Sequence, residues 1–306
     1  MANPNIDAIK GYVSQNKQGL IGLIFNGSDS IEHFYKMDGI KGATQLTLLN
    51  TAVKFGDGTS CGWNPQGTDT FTKRVLDPAL LSVQKSWCMD TLFSTWMNTA
   101  LNYAAEGTTL EDEDVARVIV EQQVTEVSKE LEKLVWQGKK TGGTDLIDGL
   151  IKIIEDANAP KYEYAQGATI TSIVDGMIAK IPEDAYSMGD VVIYMGKDMY
   201  RKYLQELRAN GNLVLNMGVD DLRQPENVIA PLTDVRVIGV RGLNGTGKAF
   251  ASYANNFVYG TDMLDSAERT SFKYIDADDT YHFNMRFVAG VQVAFPSLIV
   301  EGVAQA

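Results

Sequence analysis

A chain of 306 residues that is 44% hydrophobic, 22% charged and 9% aromatic falls outside the disordered and fibrous classes, and it can bury one large core or two smaller ones. Its 39 acidic against 27 basic residues, a formal net charge of -12, speak against a dedicated nucleic-acid binder, which needs Lys and Arg to neutralise phosphates. The balance suits a wall that holds DNA without adhering to it, and solubility accounts for it equally well.

Residues 1–40 have weak periodicity, several Gly and Asn, and a short apolar patch at 20–25, which predicts an arm lying on other structure. They lack the basic-then-apolar pattern of a secretory signal, and no run of about 18 apolar residues anywhere predicts a spanning helix. Residues 43–55 (ATQLTLLNTAVKF) place Leu49, Val53 and Phe55 on one alternating face and predict a strand. A Gly-rich tip at 56–67 and a strand-like run at 71–76 complete a long hairpin, whose modest apolar content predicts that it projects from the body.

The clearest helix is 109–137. Thr108 followed by Glu111 offers a capping box, and 111–114 put negative charge on the positive end of the dipole. Val120, Val124, Val127, Leu131 and Leu134 form one apolar stripe, and Gly138 supplies the stop. At about 1.5 Å per residue the helix is roughly 43 Å long.

Next, 145–156 and 169–181 read as amphipathic helices, the second stopped by Pro182. A buried strand at 190–195, a helix at 197–209 and strands at 234–240 and near 249–259 follow, an alternation that predicts an α/β layer. Tyr281, Phe283, Met285, Phe287, Ala289, Val291, Val293 and Phe295 alternate with more polar residues. That pattern predicts a strand, or bent pair of strands, about 50 Å long at ~3.3 Å per residue.

Several local motifs invite a chemical reading. GLNGTGKA at 242–249 matches G-x-x-x-x-G-K and would make Lys248 the phosphate ligand of a P-loop nucleotidase. However, Ala249 stands where Ser or Thr should hold Mg²⁺, and the residues that follow look β-like, so a glycine-rich turn fits better. Asp276, Asp278 and Asp279 read as a polar turn, because their spacing fails the calcium-loop pattern. His33 and His282 are the only histidines and stand apart from any Ser, Asp or Cys constellation. The two cysteines fit a reducing cytosol: Cys61 falls in the hairpin tip, and Cys88 is expected as a buried thiol. Lys139 and Lys140 read as a solvated turn. No catalytic, cofactor-binding or metal-binding residue is assigned, and no enzymatic activity is expected.

The order of these elements resembles the Hong Kong 97-like fold of tailed-bacteriophage major capsid proteins. The stretches that carry the resemblance are RVLDPALLSVQKSWCMDTLFSTW (74–96), WQGKKTGGTDLIDGLIKIIED (136–156), DVVIYMGKDMYRKYL (190–204) and YHFNMRFVAGVQVAFPSLIV (281–300), which are similar in particular to capsid proteins of crAss-like gut phages. The resemblance implies an α+β subunit with an N-terminal arm at 1–40 and an extended-loop hairpin at 41–76. It further implies a peripheral domain at 77–144 with its spine helix at 109–137, an axial domain at 145–262, and C-terminal strands at 263–306 that complete the peripheral domain. It implies assembly as pentamers and hexamers into an icosahedral shell around double-stranded DNA, in the virion and built in the host bacterial cytoplasm. Portal, scaffold or decoration proteins are the implied partners, with no membrane and no sequence-specific DNA contact. Residues 41–76 would touch neighbouring subunits, and the turn near 242–247 would approach the five- or six-fold axis. Only about forty residues precede the hairpin, which implies a separate scaffold or none. Nothing supports a Lys–Asn crosslink between subunits. An encapsulin-type nanocompartment shell is the alternative within the same fold.

Overall fold

The computed structural model describes residues 6–56, 67–88, 112–140, 145–210, 227–231, 233–262, 270–275, 278 and 280–305. The N-terminal region is more ordered than an irregular arm. It forms helices α1 (Ile6–Gln15) and α2 (Lys17–Asn26) and a short strand β1 (Tyr35–Met37). In α2, Leu20, Ile21, Ile24 and Phe25 are buried along one face, while Gly19 and Leu23 are exposed on the other. With glycine and leucine instead of charged residues on the exposed side, the two faces differ little in polarity, which is why the sequence reads as aperiodic.

The hairpin is present as expected. Strands β2 (Thr44–Ala52) and β3 (Thr68–Leu76) pair antiparallel from Thr44↔Leu76 to Ala52↔Thr68, as a separate two-stranded sheet. Strand β4 (Ala79–Cys88) follows at once. The long helix α3 (Asp112–Gln137) buries Val120, Val124, Val127 and Leu131 on the expected stripe. Thr108 and Glu111 lie outside the described residues.

Helix α4 (Leu150–Asp156) is shorter than the expected 145–156. Residues 145–149 turn back instead, so that Asp145 and Asp148 accept the backbone N–H groups of Lys139 and Lys140 at 2.9 and 2.8 Å. The chain continues through β5 (Lys161–Tyr164), α5 (Ile170–Lys180), α6 (Glu183–Ser187), β6 (Val191–Gly196), α7 (Lys197–Ala209), β7 (Asn227–Ile229), β8 (Arg236–Val240), β9 (Ala249–Tyr253), β10 (Phe257–Thr261), β11 (Ser271–Ile275), β12 (Thr280–Val293) and β13 (Val300–Ala304).

Two larger sheets organise these strands into a mixed α+β fold. In the five-stranded sheet β12 is the trunk. Strand β4 runs along one of its edges, and β11 and β10 share the other end to end, with β1 parallel to β10 beyond. The six-stranded sheet has the order β5-β13-β9-β6-β8-β7. All six residues of β6 are buried, and strand alternation explains how. Val191, Ile193 and Met195 face a core made with Ile173 and Met177 of α5 and Tyr203 of α7. Val192 and Tyr194 face the other core, shared with α3 and the five-stranded sheet.

Sheet membership departs from the expected split between 145–262 and 263–306, because β10 belongs to the five-stranded sheet and β13 to the six-stranded one. The single strand expected near 249–259 is two strands separated by a tight turn at Ala254–Asn256. There the buried Asn256 donates to Ser252 Oγ and Phe295 O, each at 2.9 Å, and accepts from Phe295 N at 2.7 Å. The chain changes sheets at the residue whose side chain can satisfy the freed backbone.

Trp136, near the C-terminal end of α3, has no solvent exposure. Its ring lies 5.5 Å from Phe250 and 5.6 Å from Tyr194 of the six-stranded sheet, 6.0 Å from Phe257 of the five-stranded sheet, and 5.9 Å from Phe34 of the N-terminal segment. One indole therefore joins four parts of the chain. Trp136→Ala is expected to lower the unfolding free energy by about 3–5 kcal/mol, the range for truncating a large buried aromatic, measured as a shifted urea midpoint with secondary structure retained in buffer.

Candidate interaction surface

Five of the exposed large hydrophobic side chains among the described residues, Leu49, Val53, Phe55, Phe71 and Val75, lie on or just beyond the β2–β3 hairpin. Leu49 and Phe71 sit opposite each other in the register, on the face shared by the Gln45↔Val75 pair. Leu49 is 52% and Phe71 66% exposed, Val75 is also exposed, and Val53 and Phe55 continue the row beyond the last paired rung. Side chains of this size normally lie inside, and an uncovered row of them marks a contact surface. A two-stranded ribbon is at best marginal by itself in water. This one gains support only at its base.

That base rests in a socket on the five-stranded sheet. Gly260 and Gly290 are cross-strand partners. A Cβ on Gly260 would come within 2.4 Å of Leu76 and 2.9 Å of Ile40, and one on Gly290 within 2.8 Å of Pro78. The paired glycines thus leave a hollow that the roots of both hairpin strands fill. Gln292 Nε2 donates to Val75 O at 2.6 Å, Arg74 donates to Gln292 Oε1 at 3.4 Å, and Lys140 forms an ion pair with Asp77 at 2.9 Å. The direction in which the hairpin leaves the body is therefore fixed by packing and by three polar staples. Beside it, an open groove of about 500 Å³ runs between α3 and β4, lined by Leu81, Val83, Leu131, Leu134 and Phe287 with Lys85 and Glu130 at its margin.

The glycine-rich segment at 242–247 is a turn, and its residues serve packing. Gly242 lies against α3, where a Cβ would come within 2.3 Å of the Trp136 ring. Gly245 and Gly247 have positive φ, +73° and +63°, as the tight turn requires. A strand, β9, follows instead of a helix. Lys248 is fully engaged: it donates to Glu155 and, at 2.6 Å, to Glu301, whose carboxylate is completely buried and also faces Lys161 at 3.7 Å. Burial alone would lower the Lys248 ammonium, but the two carboxylates hold it above its ordinary value. This lysine neutralises a buried charge and points at no open phosphate cradle.

The remaining sequence candidates do not converge. Asp276 and Asp279 lie outside the described residues, and no group of three possible metal ligands occurs among those described. His33 sits half-buried in the turn Ile31–His33, its imidazole held below the usual value by burial and by Arg236. His282 Nε2 lies 3.0 Å from Thr280 Oγ1 on β12, far along the chain from His33. Cys61 falls outside the described residues. Cys88, expected to be buried, is exposed, because β4 turns its even-numbered residues outward while Leu81 and Val83 face in. Lys139 and Lys140 are held by the Asp145 and Asp148 carboxylates, as a turn. No described helix is long and apolar enough to cross a membrane.

One buried group had no signal in the sequence. Glu132, in an ELEK run that reads as a solvated helix face, is completely buried beneath the N-terminal segment. Ser30 Oγ donates to it and accepts from Trp136 Nε1 at 2.9 Å. Only the position of the N-terminal layer reveals this second covered face of α3.

No family model matches the sequence, and no curated protein does. Solved structures do match in fold. A satellite phage P4 procapsid that includes the size determination (Sid) protein aligns with a TM-score of 0.62 at 10% identity, over 94% of this chain and 91% of that one. The capsid of an empty GTA particle gives 0.57 at 10% identity, over 92% and 90%. A virus-like particle from Pyrococcus furiosus gives 0.51 at 13% identity, over 94% and 98%. At such identities the likeness shows a shared fold that covers nearly the whole chain.

Lys248→Ala is expected to cost about 2–4 kcal/mol of stability, because it strips a buried carboxylate of its nearest cation. Adding Glu301→Gln to that variant should recover part of the loss. Nucleotide should leave the wild-type urea midpoint unchanged.

Proposed function

We propose that this chain is the major shell subunit of a tailed-phage-type capsid, a structural protein that acts by assembling with copies of itself. The observation that carries the reading is the β2–β3 hairpin. Its nine-rung ribbon projects from a fixed socket with apolar side chains that no described part of its own chain covers. The shared fold with the procapsid and capsid structures supports the same reading. On this reading the hairpin is the extended loop that overlaps a neighbouring subunit. The five-stranded sheet with α3 is the peripheral region, and the six-stranded sheet with α5 and α7 is the axial region, whose turn at 242–247 approaches a five- or six-fold axis. Pentamers and hexamers then close an icosahedral shell around double-stranded DNA, with portal and scaffold or decoration proteins as further partners, in the virion after assembly in the host cytoplasm. The excess of acidic residues suits an inner wall that does not bind DNA by sequence. Each contact can be modest, since binding at one edge makes the next nearly intramolecular.

An encapsulin-type compartment that loads enzyme cargo is the alternative within the same fold. Neighbouring genes separate the two: portal and terminase genes accompany a capsid, and an enzyme cargo gene accompanies a compartment.

Electron microscopy of the purified protein, alone and co-expressed with its neighbouring genes, tests the proposal. Closed shells are expected. Monomers under every condition would overturn it. Deleting 57–67, or replacing both Leu49 and Phe71 with Asp, is expected to leave the unfolding free energy within about 1 kcal/mol of wild type, as for two surface changes, while abolishing closed particles. Normal particles from either variant would remove the hairpin from the mechanism.

A further inference from the structure

Glu132 is a charge-bearing group that forms no ion pair among the described residues. It points from α3 into the layer formed by α2 and residues 27–34, with no solvent exposure. Ser30 supplies its hydrogen bonds: the hydroxyl donates to Oε1, and the backbone N–H donates to Oε2 at 3.4 Å. The same hydroxyl oxygen accepts from Trp136 Nε1–H, so Trp136, Ser30 and Glu132 form one chain of donors that ends on the carboxyl. Beside it, Ser28 and Ser128 face each other at 3.5 Å across the same seam.

Of the charged groups around Glu132, Asp29 raises its carboxyl and Arg241 lowers it, the Asp29 effect being the larger. From the N-terminal segment comes Asp29, another carboxylate. Arg241, from the turn after β8, and Lys197, at the start of α7, are both engaged by Asp29, at 2.8 and 3.1 Å. Burial alone would raise the Asp29 carboxyl, but these two cations hold it below its usual value and therefore charged. From β6 comes Tyr194, a buried phenol that stays neutral. Among the described residues no cation forms an ion pair with Glu132. A carboxylate buried without an ion pair is costly; the Ser30 donors offset part of that cost by favouring the ionised form, but burial outweighs them.

We propose that Ser30 and Glu132 form a proton-operated latch that ties the N-terminal layer to the long helix, closed when Glu132 is neutral and weakened when it ionises. The proton goes to solvent, and no other group changes. Burial, reinforced by the nearby Asp29 charge, pushes the Glu132 carboxyl up to about 7 from an ordinary 4.5. The docked form therefore holds a proton that an undocked form gives up. The latch is at full strength below pH 4.5, weakens as pH rises to about 7, and changes no further above that. His33, in the same segment, has the opposite sign: burial and Arg236 depress it, so charging it in acid opposes docking.

Hydrogen exchange of the full-length chain, followed over residues 20–34 at pH 5.5 and 8.0 and corrected for intrinsic exchange rates, reads the latch. In the wild type, protection of this segment relative to Glu132→Gln should fall by roughly thirtyfold between the two pH values. The comparison with Glu132→Gln cancels the His33 contribution, which both proteins share. An equal pH response in the two proteins would overturn the latch. If Glu132→Gln does not fold, an infrared titration of wild-type protein with isotope-labelled glutamate decides. A buried protonated carboxyl band that disappears with a midpoint near 7 supports it, and the absence of any such band at pH 5.5 overturns it. The inference stands independently of the shell reading.

Discussion

The contact between Trp136 and three otherwise separate parts of the chain is the constraint on which the rest depends. Phe250 and Tyr194 bring the six-stranded sheet to the indole, Phe257 brings the five-stranded sheet, and Phe34 brings the N-terminal segment. Aromatic rings packed edge-on and offset-stacked at 5–6 Å bury large area and fix relative orientation as well. The N–H of the same indole is spent inside the core on Ser30, so ring and polar edge are both satisfied. Gly242 has no Cβ because the turn after β8 must close directly on this ring. A sequence that looks like a nucleotide motif is thus accounted for by the packing of one tryptophan and the left-handed turn beyond it.

A body fixed in this way can hold a hairpin that does not hold itself. The Gly260–Gly290 pair sits where β10 and β12 run side by side, and those strands are positioned from below by Phe257 and Phe287. The socket for Leu76, Ile40 and Pro78 is therefore only as rigid as the core beneath it. Among the described residues nothing forms a second layer over the ribbon above the socket. Its direction depends on Gln292 and on the Lys140–Asp77 pair. Support therefore decreases from the core to the socket to the paired rungs beyond it.

Elements with one covered face were legible in the sequence. The 3.6-residue stripe of α3, the alternation of β12 and the β2–β3 hairpin all appear close to where the pattern placed them. So was β6, which is covered on both faces and reads as a continuous apolar run. Helix α2 read as part of an arm because its exposed side carries Gly19 and Leu23 instead of charged residues, and the buried Glu132 face of α3 was invisible because its cover comes from a segment a hundred residues earlier. The passage from β9 to β10 was read as one strand because both halves are apolar, and only the hydrogen bonds of Asn256 show why the chain turns there. The uncovered face of the hairpin could be read as such because few apolar residues bracket it. Its socket could not, since a pair of glycines thirty residues apart carries no local signal.

The buried polar groups are distributed in a way that sets how firmly each junction is held. Asn256 makes three hydrogen bonds where the sheets exchange strands. Glu301 is matched by Lys248 and Lys161 where β13 closes the six-stranded sheet. Asn256 is uncharged and Glu301 faces two cations, so each of these buried groups has partners at its junction. Glu132 joins the N-terminal layer to α3 with hydrogen bonds but, among the described residues, no ion pair. Of the three junctions it is the one whose strength depends on a proton, and it lies within one helical turn of the tryptophan that aligns both sheets. A change at that seam is therefore felt first by Phe34 and the N-terminal layer. The sheet-to-sheet contacts of Trp136 with Phe250 and Phe257, which contain no titrating group, hold the body together while the layer responds.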